Sequence, residues 1–594
     1  MIRDGQRSGG GQALDRITLE VIGAGLLSIA EEMGQALIRA SYSSNIKERQ
    51  DCSTAVFNAR GEVVAQAEHI PMHLGSLIMI VGEILKRYPL TGLREGDVFI
   101  GNDPYTGGST HLPDITVASP VFHRGVPVGF VANIAHHADG SGGETRTIYD
   151  EGLRIPPIRV VEGGALREDL MELLLLNFRL PRERRGDFRA QFAANRIGAA
   201  RLGELLDRYG QRTCEAAMDE LLAYGERKIR AALRVIPDGV YTFEDRMDDD
   251  GAGGPPVPIR VRIAVTGEEI HLDFAGTGPQ VAGDINVVYL ALVATVYYAL
   301  KALLDPTIPA NGGFYRAIRV VAPLGSIVNA QPPAPVAWRT QTCQRIADVI
   351  FGALAPALPE RVVAATNGAN SAWVWSGMNP GHGGYYVYLE TIGGGSGARA
   401  TKDGLDGVQV HITNTSNLPV ECLEMEYPLL VEEYSLVEDS GGPGRFRGGL
   451  GLRRTIRVLA GEATFLGTLD RARFGPWGLF GGGEGGRGEL VLNAGRPGAR
   501  ALGSKIAGLR LAEGHAVTIV TPGAGGYGPP AERDPTLVAS DLREGKVTPG
   551  FPERPPTSQL PPRMVLGSQT ASSGNITTSA MPNIMTTKKG STPT

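Results

Sequence analysis

Residues 110–140 read THLPDITVASPVFHRGVPVGFVANIAHHADG. The runs DITVASPVF (114–122) and VPVGFVANIAHH (126–137) are rich in β-branched and aromatic residues, and the HRG between them (123–125) supplies a glycine that tolerates positive φ. The stretch predicts a β-hairpin looped at His123-Arg124-Gly125. Closing it carries His111 and Asp114, at the start of one strand, towards His136, His137 and Asp139, at the end of the other. Register decides which imidazole joins the carboxylate. A three-residue loop sets Asp114 opposite Ile134, with His136 as its diagonal neighbour on the same face. A two-residue loop gives Asp114 a face in common with Ala135 and His137. Neutral imidazoles plus a carboxylate suit a divalent first-row metal and leave positions open for water or substrate. The competing reading is a polar turn whose histidines are incidental.

Outward from the hairpin, the pattern is mixed. Residues 14–40 carry apolar side chains at helical spacing (Ile17, Val21, Leu27, Met33, Leu37), and 74–88 and 197–235 read as further helices. CSTAVF, NARG and EVVAQ (52–66) read as strand, turn and strand. A break in the acidic, Gly/Pro-rich DDDGAGGPP (248–256) marks a boundary, after which strands alternate with helices at 287–303 and 341–354. Beyond 436 the chain turns Gly-rich, with DSGGPGRFRGGLG, FGGGEGGRGE and TPGAGGYGPP. The expectation is an α+β, multi-domain protein of mixed sheets and helices with a Gly-rich, β-dominated C-terminal region. Its expected units are 12–245, 246–435 and 436–550, with 551–594, rich in Ser, Thr and Pro, a disordered tail.

Composition narrows the function. The chain has 594 residues, 42% hydrophobic, with a net charge of −5, so nothing in its balance calls for nucleic acid or an anionic membrane. The four cysteines (Cys52, Cys214, Cys343, Cys422) are far apart, which argues against both a disulfide framework and a thiolate zinc site. Cys343 reads as a buried small residue at a helix start, and strand alternation turns Cys52 away from its neighbour Asp51. MIRDGQRSGGG lacks the apolar core of a signal peptide, and VIGAGLLSIA (21–30) alone is too short to span a bilayer. The expected compartment is the cytoplasm.

The segments NDPYTGGSTHLPDITVASPVF, FVANIAHHADGSGG and EGLRIPPIRVVEGG resemble the hydantoinase B/5-oxoprolinase family, which includes subunits of acetone and acetophenone carboxylases. EEMGQALIRASYSSNIKERQDCSTAVFNARGEVVAQ, HLDFAGTGPQVAGDIN and NLPVECLEMEYP extend the likeness, which covers about residues 14–550. The resemblance implies a single divalent metal (Mn, Zn or Fe) held by Asp51, His111, Asp114 and His136, and thereby the three-residue-loop register. It places His137 and Asp139 beside the metal as proton carriers, with His69 and His73 able to line the cavity.

Members of the family use ATP to open a stable cyclic amide. The chain has no Gly-x4-Gly-Lys-Ser/Thr loop. The resemblance therefore implies a hetero-oligomer in which ATP and Mg sit on a separate A-type subunit and this chain hydrolyses the activated amide. Two alternatives stand beside it: a subunit of an ATP-dependent ketone carboxylase, and a non-catalytic scaffold.

Overall fold

The computed structural model describes residues 14–551 except 69 and 140–142, so the expected tail from 551 and His69 lie, save for Phe551, outside the described residues. The first long helix, Arg16–Ala40, starts where Asp15 accepts a hydrogen bond from the Thr18 backbone N–H (2.9 Å). By length and composition the whole helix could cross a bilayer, which the ten-residue run alone could not. Its apolar stripe is used otherwise: Ile22, Leu26, Ile29 and Met33 pack with Val56, Val64, Val121 and Val131 of a sheet and with Leu202 and Leu206 of the helix Pro181–Tyr209.

That sheet has seven antiparallel strands in the order Val63–Glu68, Cys52–Asn58, Val126–His136, Asp114–His123, Val98–Gly101, Ile158–Glu162, Ala165–Leu166. The pleat sends Val56 and Val131 under the long helices. It sends Ala55, Phe57, Phe130, Ala132 and Ile134 to the other face, against Ile80, Val81 and Ile84 of the helix Ile80–Arg87. Burial on both faces explains why the two central strands read as near-continuous apolar runs.

The predicted hairpin forms, but its register is neither of the two expected. His123 pairs with Val126, so the loop is Arg124-Gly125 alone, with φ of 51° and 80°. Positive φ at both positions belongs to the two-residue turn whose twist matches paired strands. Val121 then pairs with Gly129 and Phe122 with Pro127, leaving Val128 as a bulge. The bulge shifts the ladder by one residue, so Asp114 lies directly opposite His136 rather than Ile134 or Ala135.

Downstream, a four-stranded sheet (Ile318–Val321, Glu269–Asp273, Val257–Thr266, Gly239–Met247) packs with the helices Tyr289–Leu304 and Arg339–Leu354 in the largest core cluster. Two further sheets share a core. One orders Tyr385–Thr391, Ala372–Met378, Glu462–Thr468 and Lys505–Ala512, and the other Leu429–Leu436, Leu452–Val458, Ala516–Val520, Glu489–Leu492 and Arg500–Leu502. Trp373, Trp375 and Phe465 of the first meet Ile456, Leu490, Val517 and Ile519 of the second. Both of these sheets draw strands from either side of residue 435. The same C-terminal stretch also holds a helix, Pro535–Arg543, so it is not β alone.

The Gly-rich runs are where backbones touch. A Cβ at Gly448 would stand 1.9 Å from the Ala524 carbonyl oxygen, a backbone atom with no freedom to withdraw. Gly448→Ala is expected to lower stability by about 3 kcal/mol, read as a fall in the urea midpoint. Gly82→Ala, in the helix Ile80–Arg87 with nothing within 4 Å of the new methyl, is the control and is expected to leave the midpoint unchanged or raise it.

Candidate metal centre

Three adjacent segments end at one point. Cys52 pairs with Ala135, and the His136 backbone N–H donates to the Asp51 carbonyl (3.0 Å), so His136 stands between Asp51 on one side and Asp114 on the other. His111 arrives from the loop before Asp114. Potential ligand atoms of His111, Asp114 and His136 all lie within 4.8 Å of one another, and all three residues are buried. Asp51 lines the same cavity but is not part of this tight group.

The polar contacts set the lone pairs. The His111 ring offers its Nδ1–H to the Ala337 carbonyl (3.0 Å), which leaves a lone pair on Nε2. That Nε2 lies 3.1 Å from Asp114 Oδ1 yet makes no hydrogen bond. A buried lone pair facing a carboxylate oxygen with no proton between them is an arrangement that a cation satisfies. His136 fits with one condition. Asn45 Nδ2 lies 3.0 Å from His136 Nδ1 and donates to the His136 carbonyl (2.8 Å), while Arg49 donates to Asn45 Oδ1 (2.7 Å). The amide so held donates to Nδ1, and the neutral ring then carries its proton on Nε2. Ligation through Nε2 requires that proton to move to Nδ1 and the Asn45 amide to turn.

Charge is balanced by a residue that the sequence reading missed. Arg339 Nη2 donates to Asp114 Oδ2 (2.7 Å) and its Nε to Thr110 Oγ1 (2.7 Å). Burial opposes ionisation of Asp114, but the Arg339 guanidinium outweighs it and holds the carboxyl below its usual range. Asp51 takes the opposite course: burial and the neighbouring Asp114 charge push it up to about 7. Burial lowers the pKa values of His111 and His136, with Arg339 adding to the effect, so both rings are neutral, the form a metal takes.

His137 and Asp139 line the cavity but stand differently from each other. One residue after His136, the pleat turns His137 to the opposite face. There its Nε2 meets Gln191 Oε1 (3.0 Å), its ring packs on Phe188 (centroids 4.9 Å apart), and its Nδ1 has no hydrogen-bond partner. Burial and the Arg184 charge push it down to about 4. Asp139 Oδ1 accepts from the Arg179 backbone N–H (2.9 Å), and burial raises its pKa. His73 also lines the cavity, with Nε2 4.0 Å from Asp114 Oδ2.

The cavity measures about 210 Å³. Its far wall comes from the second half of the chain, including Trp338, Arg339, Asn370, Thr391 and Ile412. Glu151 braces that wall: its Oε1 accepts from the backbone N–H groups of Val336 and Ala337, and the Ala337 carbonyl in turn orients His111. No local motif announces Arg339 or Glu151. Arg339 opens a helix with a run of polar residues, RTQTCQR, that would be read as solvated, and Glu151 lies in a Gly/Pro-rich loop.

The pattern of the hydantoinase B/oxoprolinase family matches residues 15–530. An uncharacterised protein of Methanocaldococcus jannaschii is 40% identical over 552 residues, covering 90% of this chain and 94% of that one. The B-type subunit of a putative D-/L-hydantoinase from a Pseudomonas strain is 35% identical, with 90% and 93% covered. The crystal structure of the ATP-dependent caprolactamase of Pseudomonas jessenii superposes with a TM-score of 0.85 at 32% identity, covering 90% of this chain and 95% of that one.

Glu151 yields a pH test. Burial, reinforced by the Asp284 charge, raises it from 4.5 to about 8. The folded chain keeps the proton to about pH 8, whereas the unfolded chain releases it near 4.5, so this group costs stability progressively as pH rises through that window. Glu151→Gln keeps the acceptor and removes the charge. Its melting temperature is expected to equal that of the wild type at about pH 4.5 and to exceed it by about pH 8. A gap that narrows as pH rises would contradict the assignment.

Proposed function

The chain belongs to the hydantoinase B/oxoprolinase family, and from that premise we propose that it is the B-type component of an ATP-dependent cyclic amidohydrolase, working in the cytoplasm with an A-type ATP-binding subunit. The observation that carries the reading is the His111–Asp114–His136 group, buried at the wall of one cavity. Two relatives, a putative D-/L-hydantoinase and an ATP-dependent caprolactamase, point to cyclic amides.

An amide resists attack because its nitrogen donates electron density into the carbonyl. Phosphorylation of the amide oxygen by the partner removes that resistance and leaves an electrophilic carbon. His111, Asp114 and His136, with Asp51 as a fourth protein ligand, would hold a divalent cation (Mn, Zn or Fe), which would supply Lewis acidity and lower the pKa of water at the site. The chain's own groups do the rest. Asp51, protonated to about pH 7 without a cation, gives up its proton when it ligates. Arg339 holds Asp114 Oδ2, so that Oδ1 is the oxygen presented beside His111. Asp139, whose pKa is raised by burial, carries protons to and from the reacting centre. His137 stays neutral at about pH 7 and offers Nδ1 as an acceptor. Ile70, Met72, Leu112, Val374 and Ile412 give part of the cavity wall an apolar surface.

Elemental analysis and a substrate screen test this. The purified chain is expected to hold about one divalent ion, and His111→Ala and Asp114→Asn to abolish it. Asp51→Asn is expected to weaken metal binding about 10- to 100-fold. With the A-type partner and ATP, lactams or hydantoins are expected to be opened, while a ketone with bicarbonate gives no carboxylation. Carboxylation instead would transfer the site to the ketone carboxylase reading. A metal-free chain whose complex keeps full activity after His111→Ala would reduce it to a scaffold.

A further inference from the structure

A second depression lies against the metal cavity and takes no part in the chemistry above. It is an open groove of about 660 Å³, whose lining includes Tyr42, Leu176, Phe178, Arg182, Arg185 and Arg189. Phe178 lines both spaces, with one flank in the groove and the other in the cavity, where it approaches His137 (ring centroids 6.5 Å apart). The three arginines recur at positions i, i+3 and i+7 of the helix Pro181–Tyr209, which places them along one face. Arg185 approaches Glu168 at 3.8 Å, whereas among the described residues Arg182 and Arg189 have no ion pair within 4 Å. In the same groove, apolar surface is left in water: Leu176 is 85% exposed and Tyr42 66%.

Exposed leucine and tyrosine next to unpaired arginine is the composition of a protein interface rather than of a solvated surface. The stripe is also cationic on a chain whose net charge is −5, so it selects for carboxylates. Its position supplies the reason. An activated amide phosphate made on another chain must reach the metal cavity, and the groove shares Phe178 with that cavity's wall. Asn177 and Arg179, on either side of Phe178, also line the cavity, and Arg179 holds Asp139 through its backbone N–H.

We propose that the groove formed by Tyr42, Leu176, Phe178, Arg182, Arg185 and Arg189 is the docking surface for the ATP-binding partner, which meets it with an acidic segment carrying an apolar anchor. The proposal rests on the two-subunit reading above. Leu176 and Tyr42 take the anchor, the arginines take the carboxylates, and the 177–180 loop between groove and cavity is covered when the partner seats. Docking there closes the space next to Asp139.

The test is capture of the A-type subunit, co-expressed with the full chain, by wild type and by two variants: Arg182→Glu/Arg189→Glu and Leu176→Asp. None of these residues touches the metal group, so bound metal and melting temperature are measured as controls and are expected to match wild type. Each variant is expected to bind the partner at least about tenfold more weakly, and wild-type binding to weaken as salt rises. Capture of the partner by the charge-reversed and Leu176 variants at wild-type affinity would overturn the proposal. A metal-loaded wild type that captures no A-type subunit overturns it together with the two-subunit reading. A complex that forms on wild type, is lost in the variants and opens no cyclic amide supports the docking surface and sinks the hydrolase reading alone.

Discussion

The site depends on one backbone event, the bulge at Val128. Without it a two-residue turn would pair Asp114 with Ala135, and a methyl rather than the His136 imidazole would stand across from the carboxylate. A single extra residue near the turn is carried undiminished along the ladder to the far end of the hairpin, because hydrogen-bonded strands cannot slip locally. The bulge also keeps its own side chain buried: Val128 joins Val121 and Val131 beneath the long helices. The apolar core and the metal group therefore require the same register, and a slip would cost both at once.

Around that register the chain assembles an uncommon density of buried charge. Arg339, Asp114 and Asp51 meet at the cavity; Arg345 and Lys505 meet Asp470; Arg471 and His411 meet Asp348; and Arg454 meets Glu390. Such pairs add little net stability, since desolvation offsets their attraction, yet removing one partner costs roughly 3–5 kcal/mol. Their use here is placement. The helix Arg339–Leu354 is buried along its whole length, so each of its polar side chains must find a stated partner, and Arg339 reaches Asp114 from 225 residues away. A hydrophobic helix could slide or rotate in such a slot, whereas one pinned by Arg339, Arg345 and Asp348 cannot.

This also decides what could be read from residues alone. The helix at 16–40, the strand pair at 52–68 and the hairpin are governed by local periodicity and turn chemistry, and they form where periodicity puts them. His111, Asp114 and the His136–His137 pair were within reach because the hairpin brings them together, whereas the choice of His136 came only with the family resemblance. The register was not, because positive φ at Arg124 and an unpaired Val128 leave no mark in composition: HRG allows a two- or three-residue loop equally. Arg339 and Glu151 were hidden for a different reason. Their partners are set by tertiary packing, and RTQTCQR carries the signature of a solvent-facing helix while lying wholly in the interior. The Gly-rich C-terminal runs invited a reading as an independent β unit. Their glycines instead let backbones meet across segments, and the sheets they border draw strands from both sides of residue 435.

Placing the two ends of the hairpin at a junction between halves of the chain has a chemical consequence. The candidate ligands come from the N-terminal half, the counter-charge from the far wall through Arg339, and Glu151 of the N-terminal half ties that wall to His111 through Ala337. Neither half alone holds the buried Asp114 ionised. The first supplies a carboxylate that burial would neutralise, and the second supplies the guanidinium that keeps it charged. Asp51, lacking such a partner, keeps its proton to about pH 7. The two aspartates thus differ not in kind but in the charges that face them.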